Sequence, residues 1–453
     1  MPSTRYESSG NVDPAPLGQP LQFYPSGRTA KNRFFKSPMA EMLATWDTKV
    51  LENRGIPTDA LVELYRRWGE GSHSWGVIIT GNIDIQYDHL TEIGDMIIAP
   101  TSQTQGERFE KFKALALAAK ANGSLIVGQL THPGRQVSYR VNADAVSASD
   151  VQLEPKMGMT FGKPHAASKS EITELINGFV HAAEYLEKAG FDGIELHAAH
   201  GYLISQFLSR TTNKRTDEYG VQTVENRLRF VTEIVEAIRG RVSPGFIIGA
   251  KLNSVEFQKG GVTTEEAREV CEILEKEGVD YVELSGGTYE DAGLSWTKES
   301  TKKREAFFQQ FAETVISAMD QNRKMRAVLA GGLRSTEAML GALKSFDAVA
   351  LARPAAAEPR LPARILEKNV SGAIRPPEAL EYDLGLALFT AKSQLVQITR
   401  NQEPMDVSNP TTWDLYSGNL YAWFEKAAAD GDKMEVIRAP EFSGKLVPYG
   451  TEC

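Results

Sequence analysis

Residues 169–197 read Lys-Ser-Glu-Ile-Thr-Glu-Leu-Ile-Asn-Gly-Phe-Val-His-Ala-Ala-Glu-Tyr-Leu-Glu-Lys-Ala-Gly-Phe-Asp-Gly-Ile-Glu-Leu-His. The first part predicts a helix over 169–189, capped by Ser168 or Ser170. The last five residues, 193–197, form a short and mostly apolar run, the pattern of a strand buried on both faces. The same unit recurs in both directions. Candidate strands lie at 34–40, 75–82, 125–130, 193–197, 246–252, 281–285, 326–330 and 348–351. Between them, 59–70 places Leu61, Leu64, Tyr65 and Trp68 on one helical face, and 263–277 is helical up to the stop at Gly278. Eight strand–helix alternations predict a parallel sheet, and the count favours closure into a (β/α)8 TIM barrel over an open sheet. Such barrels run past 250 residues as one unit, so 453 residues do not require several cores.

Composition narrows the function classes. The net charge of −9 gives no general pull toward nucleic acid or anionic membrane. Two cysteines, Cys271 and Cys453, are too few for a disulfide framework or an iron–sulfur cluster. Cys271 falls on a helical pattern with Val270, Ile273 and Leu274 and reads as a small core residue; Cys453 is terminal. The N-terminal stretch is polar, without the apolar core of a secretory signal, and no apolar run is long enough to span a bilayer. The expectation is a soluble, cytoplasmic protein.

Three segments lie outside the regular rhythm. Residues 1–30 are rich in Pro, Gly and Ser and read as an extended arm. Residues 139–165, after the third strand, hold Pro155, Met157, Gly158, Met159 and Gly162 without a clear helix, and read as a cap over the barrel mouth. Beyond the barrel at 31–365, residues 366–453 form a helical extension. There Leu384, Leu388, Ala391, Leu395 and Ile398 recur at helical spacing, followed by Trp413, Tyr416, Tyr421, Trp423 and Phe424. The simpler reading is a helical hairpin packed on the barrel; a dimer contact or an active-site cover is the alternative.

Active sites of such barrels sit at the C-terminal strand ends. The fourth strand ends Ile194-Glu195-Leu196-His197-Ala198-Ala199-His200-Gly201-Tyr202-Leu203. Two histidines three residues apart converge if the chain turns there, and each can donate a hydrogen bond to a carbonyl oxygen. By itself His-x-x-His also fits a structural pair or half a metal site, although the His-Glu-x-x-His zinc pattern is absent. Downstream come Gln206-Phe207-Leu208-Ser209, then Asn213-Lys214-Arg215-Thr216-Asp217-Glu218-Tyr219-Gly220, then Glu225-Asn226-Arg227.

Taken together, this long stretch resembles the fourth strand and following loop of the old yellow enzyme family of flavin oxidoreductases. The resemblance extends over about residues 20–365. It implies FMN as cofactor and NADPH or NADH as hydride donor. It implies that His197 and His200 bind the substrate oxygen, that Tyr202 protonates the substrate, and that His197 also lies near the flavin. Ser37-Pro38-Met39-Ala40 resembles the segment that packs against the isoalloxazine, with Ala40 replacing a Cys or Thr hydrogen-bond donor. Gly81 stands where the family places a small residue against the flavin, and Gln129 where it binds the pyrimidine ring. Lys251 stands in place of the usual arginine, supplying one charge without a bidentate fork. Gly331-Gly332 and Ala352-Arg353 correspond to the phosphate loops after strands seven and eight.

The activity so implied is reduction of activated C=C bonds in enones, enals or nitroalkenes, with hydride from the flavin and a proton from Tyr202. The partner is a small α,β-unsaturated molecule, with neither nucleic acid nor membrane involved and a homodimer as an open alternative. The rival functions are a flavin-free phosphate-binding aldolase or isomerase, a flavin-dependent isomerase of the same family, and a barrel that binds FMN without turnover. A larger dienoyl-CoA reductase type would need more cysteines and a second nucleotide domain. The cap, Met42, Trp46 and the C-terminal helices are expected to shape the pocket; the natural substrate and the choice of NADPH or NADH are not legible.

Overall fold

The computed structural model describes residues 3–8, 10, 12–155, 158–253, 263–285, 312–317, 319–320 and 322–451. Met157 and Cys453 lie outside the described residues. Eight parallel strands form the barrel: β1 (Phe34–Lys36), β2 (Val77–Asp84), β3 (Leu125–Thr131), β4 (Gly193–Ala198), β5 (Ile247–Asn253), β6 (Tyr281–Ser285), β7 (Arg326–Ala330) and β8 (Ala348–Leu351). Each pairs with the next, and β8 pairs back to β1 through Val349–Phe34, Ala350–Phe35 and Leu351–Lys36, so the sheet closes. Closure leaves no sheet edge within the barrel.

The helices lie outside. They are α1 (Asp59–Trp68), α2 (Glu107–Lys120), α3 (Lys169–Lys188), α4 (Leu203–Leu208), α5 (Val224–Arg239), α6 (Thr264–Lys276), α7 (Thr336–Ala342), α8 (Arg353–Ala357) and α9 (Leu361–Lys368). Residues 312–317, between β6 and β7, are also helical. Of the two candidate caps of α3, Ser168 forms the capping box, accepting from the Glu171 N–H while Glu171 accepts from the Ser168 backbone. Thr263 caps α6 in the same way, and Gly278 follows that helix at φ +79°. Cys271 is a buried free thiol on α6.

Alternation along the strands divides the barrel in two. Outward side chains such as Ile126, Ile194, Ile248 and Leu329 pack under the helices. Inward ones near the strand starts, among them Phe35, Val77, Val127, Ile247, Tyr281 and Val328, form a separate apolar layer. Part of the N-terminal segment closes this end. Leu21–Gln22 pairs antiparallel with Thr29–Ala30, and the turn carries Phe23 onto Phe35 and Tyr281, with ring centroids 6.3 and 5.8 Å away. The opposite, C-terminal end is left for polar groups.

Beyond α9, α10 (Glu378–Tyr382), α11 (Leu384–Thr399) and α12 (Pro410–Asp430) build a small core from Leu380, Ala387, Met405, Val407, Tyr416 and Leu420. α11 also packs against α1 and α8. It is apolar around much of its circumference, as a helix buried on two sides must be. Among the described residues, no helix is long and apolar enough to cross a membrane.

Candidate active site

A cavity of about 430 Å³ opens at the C-terminal end of the barrel. That volume suits an organic cofactor or substrate. Its wall includes Ser37, Pro38, Met39 and Ala40 after β1, Gln129 on β3, His197, His200 and Tyr202 at β4, and Lys251 on β5. Gly331 and Gly332 after β7 and Ala352 and Arg353 after β8 complete the set that the sequence singled out. Gly81 is the exception. Its N–H donates to Glu41 Oε1 at 2.9 Å, and a Cβ there would meet Glu41 Oε2 at 1.9 Å and the Met39 carbonyl at 2.3 Å. Gly81 therefore supports the Met39 wall from behind, while its neighbour Asn82 reaches the cavity.

The floor is a buried polar layer fixed by strand register. In a parallel sheet, register neighbours point the same way, and Gln129 faces Glu195 while Lys251 lies between His197 and Glu283. Gln129 Nε2 donates to Glu195 Oε1 at 2.8 Å, and the Tyr281 hydroxyl donates to Glu195 Oε2 at 3.0 Å. The Lys251 ammonium is ion-paired with Glu283, and the Ser37 hydroxyl donates to the same carboxylate oxygen at 2.6 Å. The other oxygen, Glu283 Oε2, is buried with no hydrogen-bond partner among the described residues. Burial, reinforced by the Glu283 charge, pushes Glu195 up to about 8; the Lys251 charge opposes this.

Above this floor, β4 turns abruptly. His200 at φ +57° and Gly201 at φ +78° are both left-handed, which folds Tyr202 back over the strand end. The His197 ring lies 4.6 Å from the Tyr202 ring and 5.1 Å from the His200 ring. The Ala199 N–H donates to His197 Nδ1 at 3.4 Å, which assigns the ring proton to Nε2. His200 Nε2 is 3.2 Å from the Ser285 hydroxyl. Burial, then the Lys251 charge, pushes His200 down to about 3; burial and the charges of His200 and Lys251 hold His197 well below its usual range. Both imidazoles are therefore neutral hydrogen-bond donors near neutral pH. Among the described residues, no group of three or more His, Cys, Asp or Glu side chains is arranged to hold a metal ion.

These features fit a flavin mononucleotide, an isoalloxazine ring joined to a phosphate through a ribityl chain. Pro38, Met39, Ala40 and Leu351 give an apolar wall, and Gln129 and Lys251 give polar groups at the β3–β5 side. Gly331 and Gly332, at φ +97° and +77°, give a backbone that a phosphate can approach closely beside Arg353. A profile of the NADH:flavin oxidoreductase / NADH oxidase family matches residues 16–371. The chain belongs to that family. It is 44% identical over 446 residues to the NADH-dependent flavin oxidoreductase nadA of Aspergillus parasiticus, with 98% of each chain covered. It is 34% identical to the NADH-dependent flavin oxidoreductase iccE of Talaromyces variabilis, covering 76% of this chain and 86% of that one. Among solved structures, the old yellow enzyme homologue of Zymomonas mobilis superposes with a TM-score of 0.63 at 25% identity, covering 79% and 94% of the two chains. The protein is thus an NAD(P)H-dependent flavin oxidoreductase of the old yellow enzyme type, with FMN as its cofactor.

Several residues of the cavity were not legible as site residues in the sequence. Glu283 neutralises Lys251, so the cation of the cavity floor is half of an ion pair. A charged residue within the apolar run 281–285 was the available signal. Glu92, Ser285 and the α11 residues Leu384, Leu388, Ala391, Lys392 and Leu395 also line the cavity. The helix α11 thus both packs on the barrel and lines the cavity. Of the described cap, Met159 reaches the cavity. Met42 and Trp46 do not: the chain turns at Met42, φ +56°, and Trp46 packs beside Arg54 and the Leu90–Ile97–Ala99 cluster.

Proposed function

We propose that this enzyme reduces activated C=C bonds in small enones, enals or nitroalkenes. The observation that carries the reading is the convergence of two neutral histidines and a tyrosine on one cavity wall. His197 and His200 donate hydrogen bonds to the acceptor's carbonyl or nitro oxygen, stabilising the negative charge that grows there. Because both rings are neutral, neither gives up a full proton, which leaves protonation of carbon to another group. Tyr202 delivers that proton to the α-carbon. Ser37, Pro38, Met39, Ala40, Gln129 and Lys251 would hold the isoalloxazine, and Gly331, Gly332, Ala352 and Arg353 would hold the phosphate. When bound, FMN supplies the hydride chemistry that no side chain can perform. Glu195 orients Gln129 by accepting its amide N–H. The covering helix α11 excludes water from the acceptor. The 44% identity to a protein named NADH-dependent supports NADH as the reductant.

The test separates the two half-reactions in stopped flow. Tyr202→Phe should leave flavin reduction by NADH unchanged and slow reoxidation by cyclohexenone by about 10²–10⁴, the usual contribution of a positioned acid. Equal reoxidation rates would remove Tyr202 from the reaction.

A further inference from the structure

One side chain of the cavity has no part in that scheme. Lys392 projects from α11 within the apolar stripe of Leu384, Leu388, Ala391 and Leu395, and its side chain is only 8% exposed. An ammonium in such surroundings is costly unless it is paired and hydrogen-bonded. Among the described residues Lys392 Nζ donates no hydrogen bond. Its nearest carboxylate among the described residues is Glu92 Oε1 at 3.8 Å, beyond hydrogen-bond length, and the Phe389 ring centroid is 4.9 Å away. Glu92 itself belongs to an acidic neighbourhood: its N–H donates to Asp95, and its charge adds to the burial that holds Asp84 and Asp95 above the usual carboxylate range. Lys392 is therefore a largely buried side chain whose three N–H donors have no close acceptor among the described residues, and it faces the cavity that His197, His200 and Tyr202 also face.

We propose that Lys392 is the receptor for an anionic oxygen group on the molecule that enters this cavity, and that the preferred acceptors are acidic. This rests on the ene-reductase reading above and adds a substrate class to it: alkenes that carry a carboxylate beside the activating carbonyl. The pyrophosphate of the nicotinamide dinucleotide is a second source of the same chemistry. Glu92 then acts as a competitor for Lys392 that a ligand anion displaces. The rival account makes Lys392–Glu92 a latch that ties α11 to the loop after β2.

The two accounts predict opposite signs. Lys392→Met, Lys392→Arg and Glu92→Gln are assayed with a carboxylate-bearing cyclohexenone and with its methyl ester. Lys392→Met should raise KM for the acid by about ten- to a hundredfold, the scale of a charge-assisted hydrogen bond, and leave the ester alone. Lys392→Arg should retain the discrimination, and Glu92→Gln should lower KM for the acid. A rise in KM for NADH, with the acid unaffected, assigns the same anion site to the dinucleotide. Equal losses for acid and ester in both Lys392→Met and Glu92→Gln would establish the latch and overturn the proposal, as would no change with any of the three ligands. Equilibrium binding of the acid and ester, followed by flavin absorbance, reports the anion site even if no alkene is turned over. Failure of the ene-reductase reading is thus a separate result.

Discussion

Replacing Glu195 by Gln tests whether the polar floor of the cavity is held by a neutral acid. Glu195 is fully buried and accepts from Gln129 and Tyr281. Its carboxyl is raised from 4.5 to about 8, first by burial and next by the charge of Glu283. A carboxyl raised in the folded state binds its proton more tightly there than in the unfolded chain. Its contribution is fully present below pH 4.5 and is lost as pH rises through about 8. Each pH unit in that window carries about 1.4 kcal/mol, and the value of about 8 already includes the opposing charge of Lys251, so the penalty above pH 8 should be at most about 5 kcal/mol. Glutamine has the shape of the protonated acid and does not titrate. The FMN-saturated variant should therefore match the wild type in thermal unfolding near pH 5 and surpass it increasingly toward pH 9. A constant difference across that range, of either sign, would refute the neutral-acid account.

Three further outcomes follow from the same geometry. Because both site histidines are neutral, phenol binding followed by its charge-transfer band should show the ionisations of the phenol and of Glu195 near 8 but none near 6.5; an inflection near pH 6.5 would show a titrating histidine. The double variant His197→Ala/His200→Ala should weaken that binding by about ten- to a hundredfold, the loss expected for hydrogen bonds to a charged ligand; an unchanged titration contradicts it. Gly81→Ala should force the Met39 wall inward or displace Glu41, since its Cβ would lie 1.9 Å from Glu41 Oε2. Weaker FMN retention in equilibrium dialysis is the expected sign, and undiminished retention would free Gly81 from this role.

The barrel was legible because strands buried on both faces are short continuous apolar runs, which stand out between amphipathic helices. All eight lie where the runs predict. Their ends move by a few residues where tertiary contacts take over: the second run predicts 75–82, but the strand is Val77–Asp84, and Trp75 instead buries its ring and donates Nε1–H to the Pro359 carbonyl at 2.8 Å. The β4 motif was legible because the convergence of its side chains depends on local geometry, two left-handed residues between strand and helix. Lys392 and Glu92 were not, since their proximity depends on how α11 docks across the barrel mouth. The periodicity of α11 announces a helix but not which side meets the cavity. The pairing of Lys251 with Glu283 depends on register between two strands, which no single stretch encodes.

The central claim is an FMN-dependent reduction of activated alkenes, and one anaerobic titration addresses it directly. The absorbance spectrum of the purified protein is recorded, then NADH is added, then cyclohexenone. A flavin spectrum that bleaches with NADH and returns with the enone is the predicted result. A flavin that bleaches and stays bleached with enones, enals and nitroalkenes alike would contradict it.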